Sequence, residues 1–120
     1  MPLGSNASGP VNVPRIVYFD YDRAEIRPQD REVIAAHARY LRDHPSSHVL
    51  VTGHTDPRGG AEYNLALGQR RAQNVERALT QLGVPAERIE SVSYGEEQLA
   101  SSEPTEAGYQ LNRRAEFVYR

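Results

Sequence analysis

His48-Val49-Leu50-Val51-Thr52-Gly53-His54-Thr55-Asp56-Pro57-Arg58-Gly59-Gly60 runs directly into Ala61-Glu62-Tyr63-Asn64-Leu65-Ala66-Leu67-Gly68-Gln69-Arg70-Arg71-Ala72-Gln73-Asn74-Val75. The change of period along this stretch decides the fold class. Val49, Leu50 and Val51 are successive apolar residues, so residues 48–53 predict a strand covered on both faces. Residues 54–60 are polar and predict a loop. From Ala61 to Leu82 the apolar residues Leu67, Val75, Ala78, Leu79 and Leu82 share one stripe, and Gly83 stands where a helix ends. A buried strand leading into a long amphipathic helix is the unit of an α/β fold.

The flanks extend the pattern. Arg15-Ile16-Val17-Tyr18-Phe19-Asp20-Tyr21 is β-branched and aromatic, which suits a strand, with Asp20 and Asp22 marking its end. Pro28 fits the first turn of a helix, where Asp30 and Glu32 meet the positive end of the dipole. Ile34, Ala38 and Leu41 continue it until Pro45 stops it. Residues 89–94 and 115–119 predict two further strands, joined by a polar stretch with a short helix over 105–111. The order β-α-β-α-β-β implies one mixed sheet with helices packed on it.

At 120 residues the chain has room for a single core. The expected division is a Gly-, Pro- and Ser-rich tail over residues 1–14 and one domain over 15–120. Met1-Pro2-Leu3-Gly4-Ser5 reads as a cloning remnant, so the absence of an export signal or lipid-bearing cysteine ahead of it is uninformative. A net charge of −2 supplies no basic field for nucleic acid. No apolar run approaches the roughly 20 residues of a membrane helix. Without cysteine there is no thiolate nucleophile and no disulfide. His37, His44, His48 and His54 share no ligand spacing, so neither a metal nor a cofactor is expected.

The informative anomaly is Arg71. It lies four residues from Leu67 and four from Val75, on the apolar face of the long helix, where a guanidinium needs an anion. Asp56, in the loop feeding that helix, is the nearest candidate. Two readings stay open. In one, the two charges form a structural salt bridge. In the other, both face a cleft, where a carboxylate and a guanidinium side by side complement an amino-acid zwitterion. Enzyme motifs are missing: there is no Gly-x-Ser-x-Gly elbow, phosphate loop or His-Glu-x-x-His helix. The seven tyrosines read as core or rim residues rather than a stacking platform.

The segment Asn64 to Val75 resembles the signature helix of the OmpA-like peptidoglycan-binding family. The likeness continues in order and spacing through Tyr18-Phe19-Asp20-Tyr21-Asp22, Ile26-Arg27-Pro28, Gly53-His54-Thr55-Asp56-Pro57-Arg58-Gly59, Ser93-Tyr94-Gly95-Glu96 and Asn112-Arg113-Arg114-Ala115. The resemblance implies an OmpA-like sandwich and non-covalent binding of the peptidoglycan stem peptide. Asp56 and Arg71 would hold the zwitterionic end of meso-diaminopimelate, Phe19, Asp20 and Leu67 would line the pocket, and Asn64 would orient a loop or ligand group. Arg113 and Arg114 would sit at the rim, and His54 would brace the Asp56 loop. For lipid-anchored members of the family it further implies outer-membrane attachment on the periplasmic side, a Tol-system role and a TolB-type propeller partner. The competing expectation is a protein-interaction module, as in a porin tail or flagellar stator, with little or no peptidoglycan binding.

Overall fold

The computed structural model describes residues 9–120; the first eight residues of the expected tail lie outside it. The elements are β1 (Ile16–Tyr18), α1 (Arg31–Asp43), β2 (Val49–His54), α2 (Ala61–Gln81), β3 (Ile89–Gly95), α3 (Glu106–Asn112) and β4 (Arg114–Tyr119). A 3-10 turn over Pro28–Asp30 leads into α1. The four strands form one mixed sheet in the order β1-β4-β2-β3. β2 pairs parallel with β3, as a helical crossover requires, whereas β4 runs antiparallel between β1 and β2.

Alternation along the strands sets the core. Val17, Phe19, Val49, Val51, Ala115, Phe117 and Tyr119 are buried together with Ile34, Ala38 and Leu41 of α1 and Val75 and Leu79 of α2. Within residues 9–14, expected as tail, Gly9 and Pro10 are buried and the Pro14 carbonyl accepts a hydrogen bond from His37 at 2.8 Å, while Val11, Asn12 and the rest of Pro14 stand exposed. Helix α2 crosses β2 at backbone contact. A Cβ added to Gly53 would stand 1.8 Å from the Gly68 carbonyl oxygen, so both glycines are required by the approach. This crossing brings the loop after β2 alongside the buried face of α2.

Two histidines are buried and neutral. Because the Pro14 carbonyl can only accept, His37 Nε2 carries the proton and Nδ1 accepts from the Tyr119 hydroxyl, while the ring stacks 3.8 Å from Phe117. His54 lies 2.8 Å from Thr52 Oγ1 on the other face of the sheet. Burial above all, then Arg15 beside His37 and Arg114 beside His54, lowers both pKa values from 6.5 to about 4. The unfolded chain therefore binds protons that the folded one refuses. Stability is expected to be fully present above pH 6.5 and to fall with pH toward 4, by about 1.4 kcal/mol per unit for each histidine. Urea midpoints recorded between pH 7 and pH 5 check this; a constant midpoint would mean that neither ring stays neutral in the fold.

Candidate functional site

Asp56 leaves the end of β2 almost buried, and three partners hold its carboxylate. The Arg58 guanidinium binds both oxygens, Nη2 to Oδ2 at 2.7 Å and Nε to Oδ1 at 3.2 Å, and the Arg58 backbone N–H donates to Oδ1 at 3.0 Å. Arg113 Nη1 reaches Oδ2 at 3.4 Å from behind. Burial alone would raise the pKa, but the hydrogen bonds and charge of Arg58, with Arg113, outweigh it and hold the carboxyl below its usual 3.8. Asp56 is thus a fixed anion at neutral pH.

Arg71 is fully buried, in the row Leu67, Arg71, Val75 that α2 turns inward. Among the described residues it makes no ion pair. Its donors go to backbone carbonyls: Nε to Arg23 at 2.8 Å, Nη1 to His54 at 2.8 Å and Nη2 to Asp20 at 3.2 Å. Its guanidinium faces the Phe19 ring, 5.2 Å from the centroid. Burial first, then the neighbouring Arg113, lowers its pKa to about 10, so it remains a cation at pH 7. A guanidinium has five N–H groups, and three carbonyl bonds leave it with donors for a further acceptor.

Both groups line one small pocket, with about 70 Å³ of free volume, walled by Leu67, Asn64 and Thr55 and bordered by Tyr21, Asp22 and Tyr63. Asn64 is buried and pins the loop: its Nδ2 donates to the Arg58 carbonyl at 2.9 Å and to Glu96 at 2.6 Å. The Tyr63 hydroxyl donates to Asp22, which holds a left-handed φ of 57°. A larger depression of about 620 Å³ between α1 and α2 has aliphatic walls and solvated charges and lies away from this anion and cation.

Several expectations change. Asp56 and Arg71 share the pocket without pairing, because Arg58 and Arg113 take the carboxylate and three carbonyls take the guanidinium. Phe19 is 1% exposed and belongs to the core, since it follows Val17 by two residues on the inward face. Asp20 falls on the outward face and borders a neighbouring depression with Arg23 and Ile26; only its carbonyl turns to Arg71. Arg113 is no rim residue: it is buried, tied to the Phe19 carbonyl at 3.1 Å and Glu106 at 2.8 Å, and forms the floor beneath Asp56. Arg114, one residue on, faces the opposite side of the sheet, bound to Glu116 at 2.6 Å. The His54 side chain points to that side too, so it is the His54 carbonyl that serves the site.

A mixed sheet carrying helices on one face, with a carboxylate and a guanidinium brought together at the β2–α2 junction, defines an OmpA-type domain, and the OmpA family matches residues 18–113. The chain belongs to that family. It is similar to the peptidoglycan-associated lipoprotein of Haemophilus influenzae, 48% identical over 86% of this chain and 67% of that protein. The peptidoglycan-associated lipoprotein of Legionella pneumophila is 42% identical over 88% of this chain and 60% of its own length. The crystal structure of the peptidoglycan-associated lipoprotein from Burkholderia pseudomallei superposes with a TM-score of 0.87 at 47% identity, covering 88% of this chain and 90% of that one. The chain thus spans about two thirds of the length of such relatives.

Proposed function

We propose that this domain binds the meso-diaminopimelate-containing stem peptide of peptidoglycan without changing it, and so anchors the outer membrane to the cell wall. The observation that carries the reading is the presence in one pocket of a fixed anion, Asp56, and a buried guanidinium, Arg71, that keeps free donors. The ligand ammonium goes to Asp56 and the carboxylate on the same carbon goes to Arg71. Leu67 packs on the methylene chain. The names of the relatives support peptidoglycan as the target, and none of those names is an enzyme's. The chemistry agrees, because a carboxyl held below its ordinary pKa is a poor proton donor or acceptor near neutral pH. In the full-length protein a lipid anchor on the periplasmic side of the outer membrane and a Tol-system role with a TolB-type propeller partner complete the proposal.

Calorimetric titration with a soluble stem peptide containing meso-diaminopimelate, against the same peptide with lysine in its place, tests it. Lysine lacks the second carboxylate, so binding is expected for the first peptide and at least tenfold weaker for the second, since a charged hydrogen-bonded contact is worth about 1.5–3 kcal/mol. Equal affinity for both would remove Arg71 from recognition. Binding to neither would favour a protein-interaction role.

A further inference from the structure

We propose that Arg58 is a built-in occupant of the ammonium position, which the ligand must displace to enter. This rests on the reading of the pocket given above. Arg58 already does to Asp56 what a ligand ammonium would do: it covers both carboxylate oxygens with a cation. Its flat guanidinium is also held between two rings, 4.4 Å from the Tyr21 centroid and 4.2 Å from that of Tyr109. With the side chain in this place about 70 Å³ remains free. Ligand pockets run to roughly 300 Å³ or more, so the end of a stem peptide does not fit until a wall moves.

Arg58 is the wall with a way out. Arg113 is 6% exposed at its side chain and tethered to Phe19 and α3, and Arg71 is fully buried on three carbonyls. The Arg58 side chain is 37% exposed. It is flanked by exposed Pro57 and Gly59, and a Cβ added to Gly60 would meet nothing within 4 Å. The Arg58 backbone, by contrast, is held at both ends, by Asp56 on its N–H and Asn64 on its carbonyl. Opening is therefore a swing of the side chain from between the two tyrosines, with the loop left in place and the backbone N–H still on Asp56.

The exchange has a chemical consequence. Asp56 is buried, and stripping its close cation without replacement is unfavourable. A ligand that brings an ammonium replaces one cation with another. A ligand whose amine is acetylated does not, and Arg58 keeps its place against it. The residue thus serves as a filter for a free amine as well as a gate.

Arg58→Ala is expected to bind the diaminopimelate peptide about tenfold more tightly than the wild-type domain, because a site closed nine-tenths of the time loses that factor in apparent affinity. Tyr109→Leu, which removes one wall of the sandwich and leaves Asp56 untouched, is expected to tighten binding about two- to threefold. It also supplies the answer if the alanine variant folds poorly. Calorimetry on the folded variants reads both. Weaker or unchanged binding by Arg58→Ala, with the wild type binding normally, overturns the gate alone and makes Arg58 a ligand contact or a bystander. Failure of both wild type and variants to bind overturns the pocket reading and the gate with it.

Discussion

Arg71→Ala is expected to lower the stability of the domain by about 4 kcal/mol, a large share of what holds a domain of this size folded. The side chain is 0% exposed and clasps three carbonyls from parts of the chain far apart in sequence: Asp20 and Arg23 after β1, and His54 at the end of β2. A hydrogen bond from a charged group contributes about 1.5–3 kcal/mol, and truncation also leaves its buried partners unmet. Relief from holding a cation out of water offsets part of that sum. Against total stabilities of about 5–15 kcal/mol the remainder is large. Arg71→Lys recovers little, because one ammonium cannot reach acceptors spread around a planar fork. Arg71→Glu is worse still, since it sets a carboxylate against three carbonyl oxygens. Urea unfolding followed by far-UV circular dichroism gives the measurement. A loss under about 1 kcal/mol for the alanine variant would mean that water replaces the guanidinium on all three carbonyls. It follows that lost ligand binding in an Arg71 variant does not separate recognition from folding.

What was legible in the sequence follows from local rules. Helix α2 begins at Ala61 as its periodicity predicts, ends at Gln81 within a residue of the forecast, and Gly83 takes the positive φ expected after it. Arg71 announced itself because its place on the apolar stripe needs only a period of 3.6 residues. Its partners did not, because main-chain carbonyls carry no residue-type signature. The same holds for β4. Its own composition predicts a strand, but its insertion between β1 and β2 is a non-local pairing fixed by the shape of the whole core. Phe19 is a different case: alternation with Val17 is enough to place it inward, and only the resemblance had set it in the pocket wall. Arg58, only two residues from Asp56, was missed because its contact depends on how the loop turns, and Arg113, expected at the rim, stands 57 residues from Asp56 and reaches it only after folding.

Asp56→Asn is the cleaner probe of recognition, and it is expected to weaken binding of the diaminopimelate peptide by about 30- to 100-fold. Removing one member of a buried charge pair between partners costs about 2–5 kcal/mol or more. The substitution also frees Arg58, and the tenfold recovered by opening the site returns about 1.4 kcal/mol. With the loss taken near the middle of that range, about 3.5–4 kcal/mol, the net is about 2–2.6 kcal/mol. The fold should survive, because the Asn side chain still accepts from the Arg58 N–H, and Arg113 keeps Glu106 and the Phe19 carbonyl. The pH dependence is a second signature. Folding holds the Asp56 carboxyl below its usual 3.8, so it stays ionised as pH falls from 8 to 5. Wild-type affinity should therefore be level across that range and decline only in stronger acid, where protonation removes the charge that attracts the ammonium. Calorimetry at pH 7 and pH 5 with both proteins decides the matter. If Asp56→Asn binds as well as the wild type, the ammonium does not sit on Asp56, and the displacement of Arg58 loses its purpose as well.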